Sequence, residues 1–334
     1  MIRAAVLGCA GPSLGADDRA FLSDAQPWGL ILFKRNVVVR AQLRALTDDF
    51  RAIVGRADAP VLIDQEGGRV QRMAPPHWPP YPAAARFAAT TAPERAAWLT
   101  GRLIAADLFE VGISVDCAPV LDVAGEGMHA AIGARAFSDS AERVATLGRA
   151  YANGLIAGGV APIVKHIPGH GRAQVDSHLD LPVVTASREA LAARDFLPFA
   201  ALNDLPMAMS AHIVFTAIDD QAPATTSPRV VSEIMRGAIG FNGLIFSDDT
   251  SMKALKGSFA EKTRAIFAAG LDIVLHCNGD LSEAAQVVAE TPELKGEALR
   301  RAEAALKCVA GGPQAFDAVA GRAELDALLE TAPA

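Results

Sequence analysis

Gly243-Leu244-Ile245-Phe246-Ser247-Asp248-Asp249 is the stretch on which the fold turns. Three large apolar residues follow a glycine, and two acids close the run. A short apolar run of this kind, bounded by turn-forming and charged residues, is read as a strand buried on both faces. Seven other runs share the make: Ala4–Leu7, Gly29–Phe33, Pro60–Ile63, Ile113–Val115, Ala161–Val164, Met207–Ser210 and Asp272–Leu275. Between them lie longer Ala/Leu/Arg-rich stretches with helical spacing, among them Ala41–Val54, Pro93–Phe109, Ala141–Ala157, Arg188–Leu202 and Ser258–Ala269. Strands alternating with helices predict a parallel sheet. Eight such units predict an α/β fold closed as a single (β/α)8 TIM-type barrel. Gly29, Gly112, Gly159, Gly243 and Gly270 stand before or at the strands and are read as helix stops. From about Leu281 the chain reads as amphipathic helix. With no linker or repeat in view, residues 1–334 are expected to form one catalytic barrel domain, helices 281–334 packing on the barrel.

The ends of the apolar runs carry Lys34-Arg35, Asp64, Asp116, Lys165-His166, His212, Asp248-Asp249 and His276. In a barrel every strand's C-terminal end opens on one face, so these residues are expected to converge there.

Composition narrows the chemistry. The 334 residues are 51% hydrophobic and 21% charged, with a formal net charge of −7. An acidic balance offers no basic field to a polyanion, so nucleic acid is not an expected partner. Cys9, Cys117, Cys277 and Cys308 show neither CxxC pairing nor ligand spacing and read as small buried residues. Val6-Leu7-Gly8-Cys9 superficially resembles a lipoprotein processing site, but the preceding apolar stretch is too short for a signal core. No later segment reaches a membrane-spanning length without charges. The expectation is a cytoplasmic protein with no membrane and no obligate protein partner.

Lys165-His166-Ile167-Pro168-Gly169-His170-Gly171-Arg172, continuing to Asp176-Ser177-His178, is the segment richest in chemistry. Pro168, Gly169 and Gly171 forbid regular helix, so a strand end enters a loop. Its three histidines invite a metal reading, yet no His-x3-His helical pair forms across Pro168 and Gly169, and no metal is expected. Asp176 and His178, two apart, suit a carboxylate that fixes an imidazole tautomer while the other nitrogen trades a proton. Asp248 and Asp249 suit a nucleophile, general base or cation ligand, with helix capping as the plainer alternative. Asp64-Gln65-Glu66-Gly67-Gly68-Arg69-Val70-Gln71-Arg72 combines a tight backbone with acids and arginines that pair with each other or hold hydroxyls. It lacks the glycine spacing and lysine of a phosphate loop.

Together with Leu32-Phe33-Lys34-Arg35-Asn36 and Ile132-Gly133-Ala134-Arg135-Ala136-Phe137, these motifs resemble the β-N-acetylhexosaminidase branch of glycoside hydrolase family 3. The matching motifs stand in the family's order across residues 29–252. The resemblance implies a one-domain barrel without cofactor, Asp248 as catalytic nucleophile, and an Asp176–His178 dyad replacing the usual carboxylic acid/base. It implies Asp64, Arg72, Arg135, Lys165 and His166 as the residues holding a non-reducing N-acetylglucosamine. It further implies a small carbohydrate or muropeptide substrate from peptidoglycan turnover, N-acetylglucosamine β-1,4-linked to anhydro-N-acetylmuramic acid. Thr250, where leucine is common, and Ala134, where a charge is common, depart from the pattern. The rival expectations are a glycoside phosphorylase on the same site, a non-catalytic sugar-binding barrel and, more remotely, a metal hydrolase.

Overall fold

The protein is described from a computed structural model, which covers residues 1–125, 129, 132–173, 175 and 180–330. Each of the eight apolar runs forms a strand: β1 Arg3–Gly8, β2 Pro27–Leu32, β3 Val61–Ile63, β4 Val115–Asp116, β5 Ala161–Ile167, β6 Met207–Ser210, β7 Leu244–Asp249 and β8 Ile273–His276. They pair in parallel in the order β1-β8-β7-β6-β5-β4-β3-β2, and β1 returns to pair with β2. The sheet is therefore closed, and it leaves no barrel edge unpaired.

Alternation along the strands decides which side chains fill the barrel. Ala4 and Val6 of β1, Ala161 and Ile163 of β5, Leu244 and Phe246 of β7, and Ile273 and Leu275 of β8 share one apolar cluster. Their neighbours Ala5, Val164, Ile245 and Val274 belong to the other, larger cluster. A side-chain period of two on a pleated strand gives this separation between the barrel interior and the layer under the helices.

The helices follow the expected pattern with one correction. Arg40–Val54, Pro93–Glu110, Ala141–Ala157 and Phe259–Ala269 form where periodicity placed them. The single helix expected over Arg188–Leu202 is instead two short ones, Arg188–Ala192 and Leu197–Ala201. Pro198 is the reason: it has no N–H to continue a helix, but it suits the first turn of a new one. Gly112, Gly159 and Gly270 do sit at left-handed φ of 77°, 79° and 97°. Gly29 and Gly243 do something else. A Cβ at these positions would lie 2.9 Å from the Pro60 carbonyl oxygen and 2.4 Å from that of Pro206. They permit close backbone approach rather than ending helices.

The last three helices are Leu281–Glu290, Gly296–Lys307 and Ala318–Glu330. Gly296–Lys307 adds Ala302 and Ala305 to the barrel's inner cluster. Arg301 of that helix and Arg236 grip Asp272 at 2.9 and 2.6 Å, just before β8 begins. No helix among the described residues is long and apolar enough to cross a membrane.

Candidate active site

The strand period also sorts the polar residues at the barrel mouth. Extending the inward phase of β3 (Leu62), β5 (Ile163) and β7 (Phe246) by two residues reaches Asp64, Lys165 and Asp248. All three line one cavity of about 330 Å³. Arg69, Arg72, Arg135, His166 and Asp249 also line it, between apolar walls that include Phe33, Met209 and Met252. The volume lies at the small end of the range for ligand pockets, roughly 300–1,000 Å³, and suits a single sugar ring.

Residues in the outward phase brace the strand ends instead. Asp116 accepts the Gln65 N–H at 2.9 Å, and burial pushes its carboxyl well above the usual carboxylate range. His212 bridges the Thr225 hydroxyl at 2.8 Å and the Asp249 carbonyl at 3.1 Å. His276 meets the hydroxyl of Thr250 at 2.9 Å, so threonine here joins the ends of β7 and β8. Lys34 and Arg35 do not reach the cavity; Arg35 binds the carbonyls of Cys9 and Cys277. Ala134 is exposed on a short turn.

The two adjacent acids have different surroundings. Asp249 receives the N–H groups of Ser251 (3.0 Å) and Cys277 (3.1 Å) on Oδ1 and the Ser251 hydroxyl on Oδ2. Both of its oxygens are thus engaged, Oδ1 in tying the end of β7 to that of β8 and Oδ2 in the turn that follows β7. Asp248 takes the Asp249 N–H at 2.8 Å on Oδ1 and faces the cavity. Neither acid caps a helix: the next one starts at Phe259 with Ser258 as its cap.

A buried ionic network forms the opposite wall. Lys165 Nζ lies 2.7 Å from Asp64 and 2.7 Å from Glu66. Arg72 pairs with Asp64 at 3.1 Å and lies 5.1 Å from the centre of the Phe33 ring. Arg135 grips both oxygens of Glu66, at 2.7 and 2.8 Å. Burial would raise Glu66, but the Arg135 and Lys165 charges outweigh it and hold the carboxyl at about 2. Asp64 is held well below its ordinary value against the same burial by Lys165 and Arg72. Lys165 is raised: burial works against its charge, and the two carboxylates prevail. All five groups are charged at neutral pH, three cations against two anions. The residual positive charge complements the Asp248 carboxylate in the same cavity.

The six described residues expected at the site, Asp64, Arg72, Arg135, Lys165, His166 and Asp248, are thus brought together. Asp176 and His178 lie outside the described residues. Sequence reasoning did not select Glu66, Asp122 or His170. Glu66 could have been found by counting charge, because two arginines and a lysine held in one buried place need more than one carboxylate. Among the described residues, no group of three His, Cys, Asp or Glu comes together that could hold a metal ion.

Buried histidines make the protein's stability sensitive to acid. Burial, aided by the nearby His166, lowers His170 to about 4. The unfolded chain takes up that proton near pH 6.5 and the folded one only near 4, so the stability present above 6.5 is lost as pH falls between those values. The loss is about 1.4 kcal/mol per pH unit, or about 2 kcal/mol at pH 5 for this group. His212, also lowered by burial, adds to it with the same sign. Because the raised Asp116 acts with the opposite sign, urea unfolding at pH 7 and pH 5 is compared between the unaltered protein and His170→Gln; the same pH dependence in both would refute the loss.

Comparison with known proteins agrees with the geometry. The glycosyl hydrolase family 3 N-terminal domain matches residues 7–307. A β-hexosaminidase from Methylococcus capsulatus is 42% identical over 277 residues, 80% of each chain. Another from Pseudomonas aeruginosa is 40% identical over 293 residues, covering 87% of this chain and 86% of its own. The fold superposes on NagZ from Neisseria gonorrhoeae in complex with N-trifluoroacetyl-D-glucosamine with a TM-score of 0.84, at 32% identity over 99% of this chain and 97% of that one. A family 3 β-N-acetylglucosaminidase from Paenibacillus gives a TM-score of 0.85 at 27% identity, over 98% of this chain and 67% of that one.

Proposed function

The chain belongs to glycosyl hydrolase family 3 as a β-N-acetylhexosaminidase, and from that premise we propose that it releases terminal N-acetylglucosamine with retained configuration through a covalent intermediate on Asp248. The observation that carries the proposal is the placement of Asp248 at the end of β7, across a one-sugar cavity from the Asp64–Lys165–Glu66–Arg135 network.

In the first step the Asp248 carboxylate attacks the anomeric carbon. His178, oriented by Asp176, protonates the departing glycosidic oxygen. In the second, the same imidazole takes a proton from water, which attacks the anomeric carbon and frees Asp248. Asp64, Arg72, Arg135, Lys165 and His166 hold the sugar hydroxyls and so fix the line of attack. A histidine acid suits the site, because a neutral imidazole near Asp248 avoids the repulsion a second carboxylate would bring.

The proposed substrate is a cell-wall turnover fragment, N-acetylglucosamine β-1,4-linked to anhydro-N-acetylmuramic acid with or without peptide. The proposed setting is peptidoglycan recycling in the cytoplasm by a one-domain enzyme. A panel of aryl β-glycosides tests the reading. N-acetylglucosaminide should be cleaved far faster than glucoside or xyloside, and NMR should show the β-anomer of the sugar first. First appearance of the α-anomer, or of sugar 1-phosphate only when phosphate is supplied, would count against retaining hydrolysis. His178→Ala should slow the natural disaccharide by roughly 10²–10⁴-fold and an activated aryl glycoside far less, since that leaving group needs little protonation. Equal losses on both would remove His178 from the acid role.

A further inference from the structure

Asp122 has no part in the chemistry described so far, yet its fully buried carboxylate makes three contacts, with the end of β5 and the segment that follows it. Oδ1 accepts the backbone N–H of His166 at 3.2 Å and that of His170 at 2.6 Å. Oδ2 lies 2.7 Å from Nδ1 of the His166 ring. The next residue is also pressed against this segment: a Cβ on Gly171 would lie 1.9 Å from the Val123 carbonyl oxygen. Residues 122 and 123 therefore cradle the chain from 166 to 171.

The chemistry of the pair fixes where its proton sits. Burial raises a carboxyl, but the His166 ring and the N–H donors outweigh it and hold Asp122 at about 2. At neutral pH the group is an anion that only accepts hydrogen bonds, so Nδ1 of His166 must be the donor. His166 lines the cavity, which leaves Nε2 as the ring nitrogen available to a ligand.

We propose that Asp122 is a positioning residue of the hydrolysis: it locks His166 with the proton on Nδ1 and so presents Nε2 to a hydroxyl of the bound sugar. The inference rests on the reading of this cavity as the sugar site. Asp122→Asn separates it from a purely structural role. The amide oxygen can still accept the two backbone N–H groups, while its NH₂ faces Nδ1 and forces that atom to become the acceptor. The ring proton then moves to Nε2.

Nitrogen-15 NMR of the imidazoles should therefore show Nδ1–H for His166 in the unaltered protein and Nε2–H in Asp122→Asn, with His166→Gln assigning the signal. The value of kcat/KM on an aryl N-acetylglucosaminide should fall by roughly 10–100-fold, as when an orienting partner of a binding histidine is lost. That is less than the ~10⁴ seen when the histidine itself transfers the proton. In a His166→Ala background the further loss from Asp122→Asn should vanish, because both changes remove one interaction. Nε2–H in the unaltered protein overturns the proposal, and that measurement needs no variant to fold. Unchanged kcat/KM in a folded Asp122→Asn protein, or losses that simply add, would also overturn it. Absence of turnover by the unaltered protein on every N-acetylglucosaminide would instead refute the hexosaminidase reading, leaving the tautomer to be decided by NMR.

Discussion

Asp248→Ala is expected to lower kcat by on the order of 10⁴–10⁶, the scale of loss when a covalent nucleophile is removed. Asp249 stands next to it in sequence but cannot take over. Its oxygens hold Ser251 and Cys277, and it occupies the outward phase of β7. The unfolding midpoint should change little, because Asp248 borders a cavity rather than filling the core. Azide added to the alanine variant should restore turnover and yield the α-glycosyl azide, since a small external nucleophile enters on the face the carboxylate used. A slow fluorinated substrate should label Asp248 in the unaltered enzyme. Label recovered on any other residue would remove Asp248 from the nucleophile's role.

Lys165→Met is expected to cost about 3–5 kcal/mol of unfolding free energy, measured by urea denaturation, together with a large rise in KM. The size follows from what remains. Lys165 is almost wholly buried and, among the described residues, is the cation shared between Asp64 and Glu66. Without it, two buried carboxylates share one wall, with Arg72 on Asp64 and Arg135 on Glu66 as their remaining cations among the described residues. Methionine keeps most of the volume, so a cavity is not the cause of the loss. The double variant Lys165→Met/Glu66→Gln should recover part of the stability, because it removes one of the two facing charges. A Lys165→Met protein as stable as the original would mean that water, rather than the lysine, neutralises the pair.

Much of the active site was written in strand parity. Leu62, Ile163 and Phe246 point into the barrel, so Asp64, Lys165 and Asp248 must follow them at the mouth. The same count sends Asp116, Asp249 and His276 outward, and all three brace strand ends, although Asp249 also lines the pocket. His166 is the exception. It follows Lys165 directly and yet lines the same cavity, at a place where the register between β5 and β6 shifts. A periodic rule cannot anticipate such a shift, because it arises from pairing with another strand.

The sequence by itself determined the eight strands and the charged residues at their ends, since hydrophobic period and turn residues act over a few neighbouring positions. Closure of the barrel, expected from the count of units, was settled by β1 pairing with β8. Only the tertiary structure decided that Glu66 belongs to the ionic wall, that Asp249 is occupied, and that Asp122 holds His166 from 44 residues away. Those assignments depend on which charges meet in a dry interior, where an unpaired group is costly, and a linear spacing carries no record of that meeting.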